Sequence, residues 1–263
     1  MLSKASVILF VLTLPALAQV SSQPVTPAPR SHAPMRVHGL RPDGTVESTN
    51  WSGYAATGTS FTVAEGSWTV PSVNCTKTPN TYAAFWVGID GYSSSTVEQT
   101  GTDSDCDGKT PDYYAWYEFY PEGSVLISSV PVAVGDQMSA SVTYSGTEFT
   151  IKITNETTGK SYSRSSRVSG AKRSSAEWIA EAPCCTNRGG ILPLSDFGTV
   201  YLGNDYTGIS GTNDATDSSV SGPIGDFSTW EKIIMATSSG TDEAVPSVLT
   251  SDGTSFDVVW DSE

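Results

Sequence analysis

Two short stretches hold the residues best suited to chemistry. VEQTG, residues 97–101, places a polar amide at Gln99, and AEWIAEAP, residues 176–183, places a carboxylate at Glu181. Both histidines, His32 and His38, lie in a Pro-rich N-terminal stretch. If that stretch is removed, a Ser-His-Asp triad and a His-ligated metal are excluded. The chemistry must then run on carboxylates, amides, hydroxyls or backbone groups. An ionised carboxylate can take a proton from water and pass it to a leaving amine. An amide cannot titrate, but its N–H can donate to a developing oxyanion, and one such donor is worth roughly 3–4 kcal/mol in a preorganised site.

The elements that position these residues read as strands. Runs rich in Val, Thr, Tyr, Phe and Trp alternate with Gly, Ser, Asn and Asp clusters. Strands are predicted at 67–70, 83–89, 113–120, 137–144, 148–155, 176–181, 199–202, 231–235 and 256–260. No long amphipathic helix and no internal repeat is evident. This pattern predicts an all-β sandwich or barrel of antiparallel strands. In 176–181, Glu177 and Glu181 share one face with Ile179, while Trp178 lies on the other. In 113–120, Tyr114, Trp116, Glu118 and Tyr120 share a face. Aromatics mixed with carboxylates suit the floor of a cleft better than a dry core.

The N-terminus has a basic residue at Lys4, an apolar run over 5–17 and the small-residue site Ala16-Leu17-Ala18. This is a secretory signal in residues 1–18, and the protein is expected outside the cell. Residues 19–48, punctuated by five prolines, read as a leader or propeptide, and the body is expected at 49–263. Of the chain's 14 Lys/Arg and 28 Asp/Glu, four and two lie in residues 1–48, so the body holds 10 and 26, a net charge of −16. Such a surface argues against nucleic-acid and anionic-membrane partners. The leader's arginines and histidines could pair with this acidic body and inhibit it. Acid would then break the pairs, and self-cleavage near residue 48 would follow.

Four cysteines in a secreted chain suggest disulfides, with Cys75–Cys106 the favoured pair. A bond between the neighbours Cys184 and Cys185 would be strained, because consecutive α-carbons are only about 3.8 Å apart. Asn50, Asn74 and Asn155 each open an Asn-x-Ser/Thr sequon.

Seven motifs occur in order: NWSGY at 50–54, GSWTVPS at 66–72, WVGIDG at 86–91, QTG at 99–101, AWYEFYP at 115–121, AEWIAE at 176–181 and DFG at 196–198. The series resembles the glutamic peptidases, or eqolisins, over roughly residues 49–205. That resemblance implies a β-sandwich of two curved antiparallel sheets, a concanavalin-like jelly roll, with the active site on a concave face. It also implies a catalytic pair at Gln99 and Glu181, with Glu181 rather than Glu177 as the carboxylate. Trp51, Trp86 and Glu118 map to positions lining the cleft, and Asp90 and Glu177 read as supporting residues. Two departures stand out. Tyr114 replaces an Asp that usually precedes AWYE, with Asp112 two positions earlier, and Ala182-Pro183 follow the carboxylate in place of Asp-Phe.

The reading is therefore a secreted acid endopeptidase acting on protein or peptide substrates. It is expected to be monomeric, without cofactor or metal, with an optimum at about pH 2–5. Two rival readings are a glycoside hydrolase using Glu118 and Glu181 as its carboxylate pair and a carbohydrate-binding sandwich. Gln99 discriminates, since it has an essential role only in the peptidase.

Overall fold

The computed structural model of the chain describes residues 25–184, 190–218 and 220–263. The expected signal at 1–18 and the Cys184–Cys185 pairing fall wholly or partly outside the described residues. The first strands are β1 (Val37–Leu40), β2 (Val46–Ser48), β3 (Trp51–Thr57), β4 (Val63–Thr69), β5 (Ala84–Ile89) and β6 (Val97–Asp107). Next come β7 (Thr110–Tyr120), β8 (Val125–Pro131), β9 (Gln137–Ser145), β10 (Glu148–Asn155), β11 (Lys160–Ser166) and β12 (Ser175–Glu181). The last are β13 (Thr199–Leu202), β14 (Asp214–Thr216), β15 (Ser221–Pro223), β16 (Trp230–Ala236), β17 (Asp242–Pro246) and β18 (Phe256–Trp260). One four-residue helix, α1, spans Asn204–Thr207.

The strands form a β-sandwich. One layer runs β8-β7-β6-β5-β12-β3-β16. The other runs β11-β10-β9-β4-β14-β15. Strands β13, β18 and β17 link the layers edge to edge. Pairing is antiparallel except where β2 lies parallel to β16. So residues 37–48, within the expected leader, contribute two strands that join the body.

Strand periodicity sorts the side chains into two apolar groups. Phe85, Val87 and Trp178 point between the layers and meet Trp68, Val142, Phe149 and Ile151 from the second layer. Trp51, Trp86, Trp116, Tyr114 and Ile179 point to the other face of the first layer, where a second cluster forms. Cys75 and Cys106 are bonded, tying the loop after β4 to β6. Closing this loop should contribute roughly 3–4 kcal/mol through the restricted unfolded chain. Of the sequon asparagines, Asn74 is exposed, whereas Asn50 and Asn155 are fully buried.

Sequence patterning missed β1, β2, β3, β6, β8, β11, β14, β15 and β17, and of these β6 carries the most weight for the site. Five of its eleven residues (VEQTGTDSDCD), Glu98, Gly101, Asp103, Asp105 and Asp107, are types depleted in strands. It nevertheless sits between β5 and β7 with all but its last residue buried. Gly101 at its middle is required by close approach. A Cβ there would lie 2.3 Å from the carbonyl oxygen of Phe85 and 2.5 Å from Cβ of Trp86. No side-chain rotation relieves a clash with backbone. Gly101→Ala should therefore cost about 3 kcal/mol, the upper end of overpacking penalties, measured as a lower urea midpoint followed by tryptophan fluorescence.

Candidate active site

The site is assembled by register across five adjacent strands. One row places Glu177 of β12 opposite Gly88 of β5, Gly88 opposite Gln99 of β6, and Gln99 opposite Glu118 of β7. The next row on the same face runs Ile179, Trp86, Gly101, Trp116. The third runs Trp51, Glu181, Ala84, Asp103, Tyr114. Glycine and alanine leave room above the middle of the face, and tryptophans wall it.

Gln99 Nε2 donates to Glu118 Oε2 at 3.1 Å. Its Oε1 is buried and has no partner among the described residues. Glu181 Oε2 accepts from Trp86 Nε1 at 2.8 Å. Trp51 packs edge-on against Trp86, with ring centroids 4.9 Å apart. The expected pair and its expected neighbours thus meet in one place. Asp90 lies away from them, and Glu177 shares their face without a hydrogen bond to any of them. Asp90 accepts from the backbone N–H groups of Lys172, Arg173 and Ser174, fastening the loop that leads into β12. Glu177 is fully buried, and burial, then the charges of Asp90 and Glu98, hold its carboxyl well above the usual range.

The cleft is filled by the chain's own N-terminal segment, which runs across it in extended form. Gln99 Nε2 also donates to the carbonyl oxygen of His32 at 2.8 Å. The backbone N–H of Ala33 donates to Glu181 Oε1 at 3.1 Å. The Ala33 carbonyl accepts from Trp51 Nε1 at 3.1 Å, and the His32 N–H donates to Glu118 Oε2 at 2.9 Å. The His32 ring lies flat on Trp116, centroids 3.5 Å apart, with Nε2 3.1 Å from Asp103 Oδ1. Arg30 pairs with Asp105 at 3.3 Å and covers the Tyr82 ring.

Sequence reasoning missed Asp103 and Asp105; it placed Tyr114 and Trp116 on a cleft floor with Glu118, and His32 among the leader's cations, without giving any of the three a contact in the site. The Tyr114 hydroxyl donates to Asp103 Oδ2 at 2.6 Å and lies 3.0 Å from Asp105 Oδ2. A phenol has one proton, so the second contact needs Asp105 to be the donor. Burial, and then the Asp103 charge, push Asp105 up to about 8, which supplies that proton. The signal that would have found them was strand alternation through QTGTDSD, which puts residues 99, 101, 103 and 105 on one face.

A model of the peptidase A4 family matches residues 49–252 of the chain. The chain belongs to that family. Aspergillopepsin-2 of Aspergillus niger is 30% identical over 191 residues, covering 63% of this chain and 67% of the relative. Scytalidopepsin B of Scytalidium lignicola is 35% identical over 178 residues, covering 65% and 66%. The chain thus spans about two thirds of the length of these relatives. The solved structure of scytalido-glutamic peptidase with a transition-state analogue inhibitor superposes with a TM-score of 0.67 at 28% identity, over 81% of this chain and 98% of that one. As a member of the A4 family the protein is a hydrolase of peptide bonds, and the family fold is the sandwich described above.

Within this peptidase the His32 imidazole has an unusual setting. Burial alone would lower its pKa, but the carboxylates of Asp103, Glu118 and Glu181 outweigh that, and it rises from 6.5 to about 10. Docking of the segment therefore gains fully from His32 below about pH 6.5 and loses that contribution as pH rises through about 10. In Glu181→Gln protein, which keeps Asp103 and Glu118, ring NMR of labelled histidine should show His32 charged through pH 8. A ring that titrates near 6.5 would contradict the docked arrangement.

Proposed function

We propose that this protein is a secreted acid endopeptidase working through a Gln99/Glu181 pair. What carries the reading is a single peptide group, His32–Ala33, whose C=O is bonded by Gln99 and whose N–H is bonded by Glu181. Two groups that address opposite ends of one peptide unit are placed to break it. Glu181 takes a proton from a water, whose oxygen adds to the carbonyl carbon. The unpartnered Gln99 Oε1 is positioned to hold that water, while Gln99 Nε2 donates to the oxygen that becomes negative. Glu181 then delivers the proton to the nitrogen, the C–N bond breaks, and an acid and an amine leave. These steps use side chains and water alone.

The sugar-directed readings give Gln99 no task, and here it contacts a peptide. We take residues 1–18 as the export signal. Among the described residues no helix is long and apolar enough to cross a membrane. A leader seated over both members of the pair keeps other substrates out, which is the behaviour of a zymogen.

Leader-free protein should digest denatured casein with an optimum at about pH 2–5, on reference carboxyl values. Glu181→Gln should abolish this, and Gln99→Ala should lower kcat by roughly 10²–10³-fold with folding intact by circular dichroism. Wild type that is folded but inert would overturn the proposal.

Closing the site also shifts the base. Beneath the leader, burial raises the Glu181 carboxyl, with His32 pulling down and Glu118 pushing up. Because the base must be ionised, a substrate that buries it similarly should move the acidic limb of kcat to higher pH than that of kcat/KM. Steady-state kinetics across pH with a peptide that fills the cleft checks this ordering.

A further inference from the structure

We propose that His32–Ala33 is the bond this peptidase cuts first in itself, and that the pocket holding His32 selects a protonated histidine on the acyl side of the cut. This rests on the Gln99/Glu181 reading above and adds a cleavage position and a specificity.

The leader lies in the cleft as a substrate would. Upstream of His32 its backbone is held from both sides. Leu126 N–H donates to the Thr26 carbonyl and Ala28 N–H to Ser124, so the segment extends the sheet at β8. Ser31 and Cys184 exchange both backbone bonds at 2.8 Å. Downstream, Asn50 Nδ2 reaches the carbonyls of Ala33 and Pro34, and Met35 N–H donates to Gly91. Backbone pairing of this kind accepts many sequences and sets depth and direction. It leaves one peptide group between the catalytic pair.

Side-chain selection is concentrated at His32. The ring is fully buried, stacked on Trp116, with Nε2 at Asp103 and Nδ1 3.5 Å from Glu118 Oε2. Nε2 bonds Asp103, and Nδ1, without a hydrogen-bond partner among the described residues, lies within ion-pair range of Glu118, so the ring sits between two carboxylates that favour its cationic form. An aliphatic side chain would leave Asp103 and Glu118 buried without a cation, and an acidic one would add a third negative charge. Arg30, two residues upstream, adds a second cationic contact at Asp105.

Hydrolysis adds water's oxygen to the His32 carbonyl carbon and its protons to the products. The new His32 carboxylate forms beside Glu118 and Glu181, and like charge favours departure of the upstream piece. The new Ala33 amine forms beside Glu181 and stays tethered through β1 and β2. A species beginning at Ala33 should therefore precede any trimming toward residue 49.

The test follows the secreted full-length zymogen at about pH 4 by intact mass and N-terminal sequencing, with Glu181→Gln from the same host as control. A peptide copying residues 26–38, with His, Leu or Asp at position 32, is given to leader-free enzyme. Expected are an Ala33 N-terminus in wild type only and cleavage of the His peptide at that bond. Leu should lower kcat/KM at least tenfold, and Asp should abolish cleavage. Asp103→Asn enzyme should lose most of the His-over-Leu preference. Casein digestion with the first cut elsewhere, or equal cleavage of the His and Leu peptides, overturns this inference and leaves the peptidase reading standing. No casein digestion by folded leader-free enzyme overturns both.

Discussion

A carboxylate can only accept hydrogen bonds, and that constraint orients the site. Glu118 lies directly across the β6–β7 ladder from Gln99 and takes the amide's Nε2. One amide hydrogen is thereby spent on Glu118, the other faces the peptide carbonyl, and Oε1 is left as the free acceptor. With the amide reversed, an oxygen would face both the carboxylate and the carbonyl, and neither contact would survive. The roles proposed for Gln99, oxyanion donor and water acceptor, both rest on this one cross-strand pair. That pair in turn depends on Gly88 and Gly101, which let β5, β6 and the Trp86 ring approach closely.

The second organising force is the concentration of negative charge on a dry face. Asp103, Glu118 and Glu181 are all fully buried. Burying several carboxylates together is unfavourable unless a cation or protonation relieves it. The protein uses both means. Asp105 and Glu98 are pushed up to about 8 and about 9, so each holds its proton at neutral pH. Around Gln99 and Glu181, relief comes from His32. Seating the cationic N-terminal segment in the cleft is therefore stabilising for segment and cleft together, and it places the His32–Ala33 peptide group between Gln99 and Glu181.

The departure at Tyr114 fits this balance. An aspartate there would have added another carboxyl beside Asp103 and Asp105. The phenol instead donates one hydrogen bond and accepts another, neutral in itself. Ala182 and Pro183, which follow Glu181, carry the chain to Cys184, whose backbone grips Ser31 of the leader.

Strands with clean alternation, such as β10, β13 and β18, were legible to the residue, because one buried face imposes a period of two. The Gln99 and Glu181 motifs were legible too, as was the absence of histidine from the body. Strand β6 was not, since its burial comes from neighbours on both sides rather than from its own hydrophobicity. Nor was the grouping of Asp103, Tyr114 and Trp116 with the pair, which depends on register between separate strands. The sequence by itself determined which side chains could do the chemistry and that a basic, proline-rich segment precedes an acidic body. Only the tertiary structure decided that His32 of that segment lies between them. Local periodicity encodes which face a residue occupies, whereas contact across the cleft depends on long-range pairing and on charge burial that no short window contains.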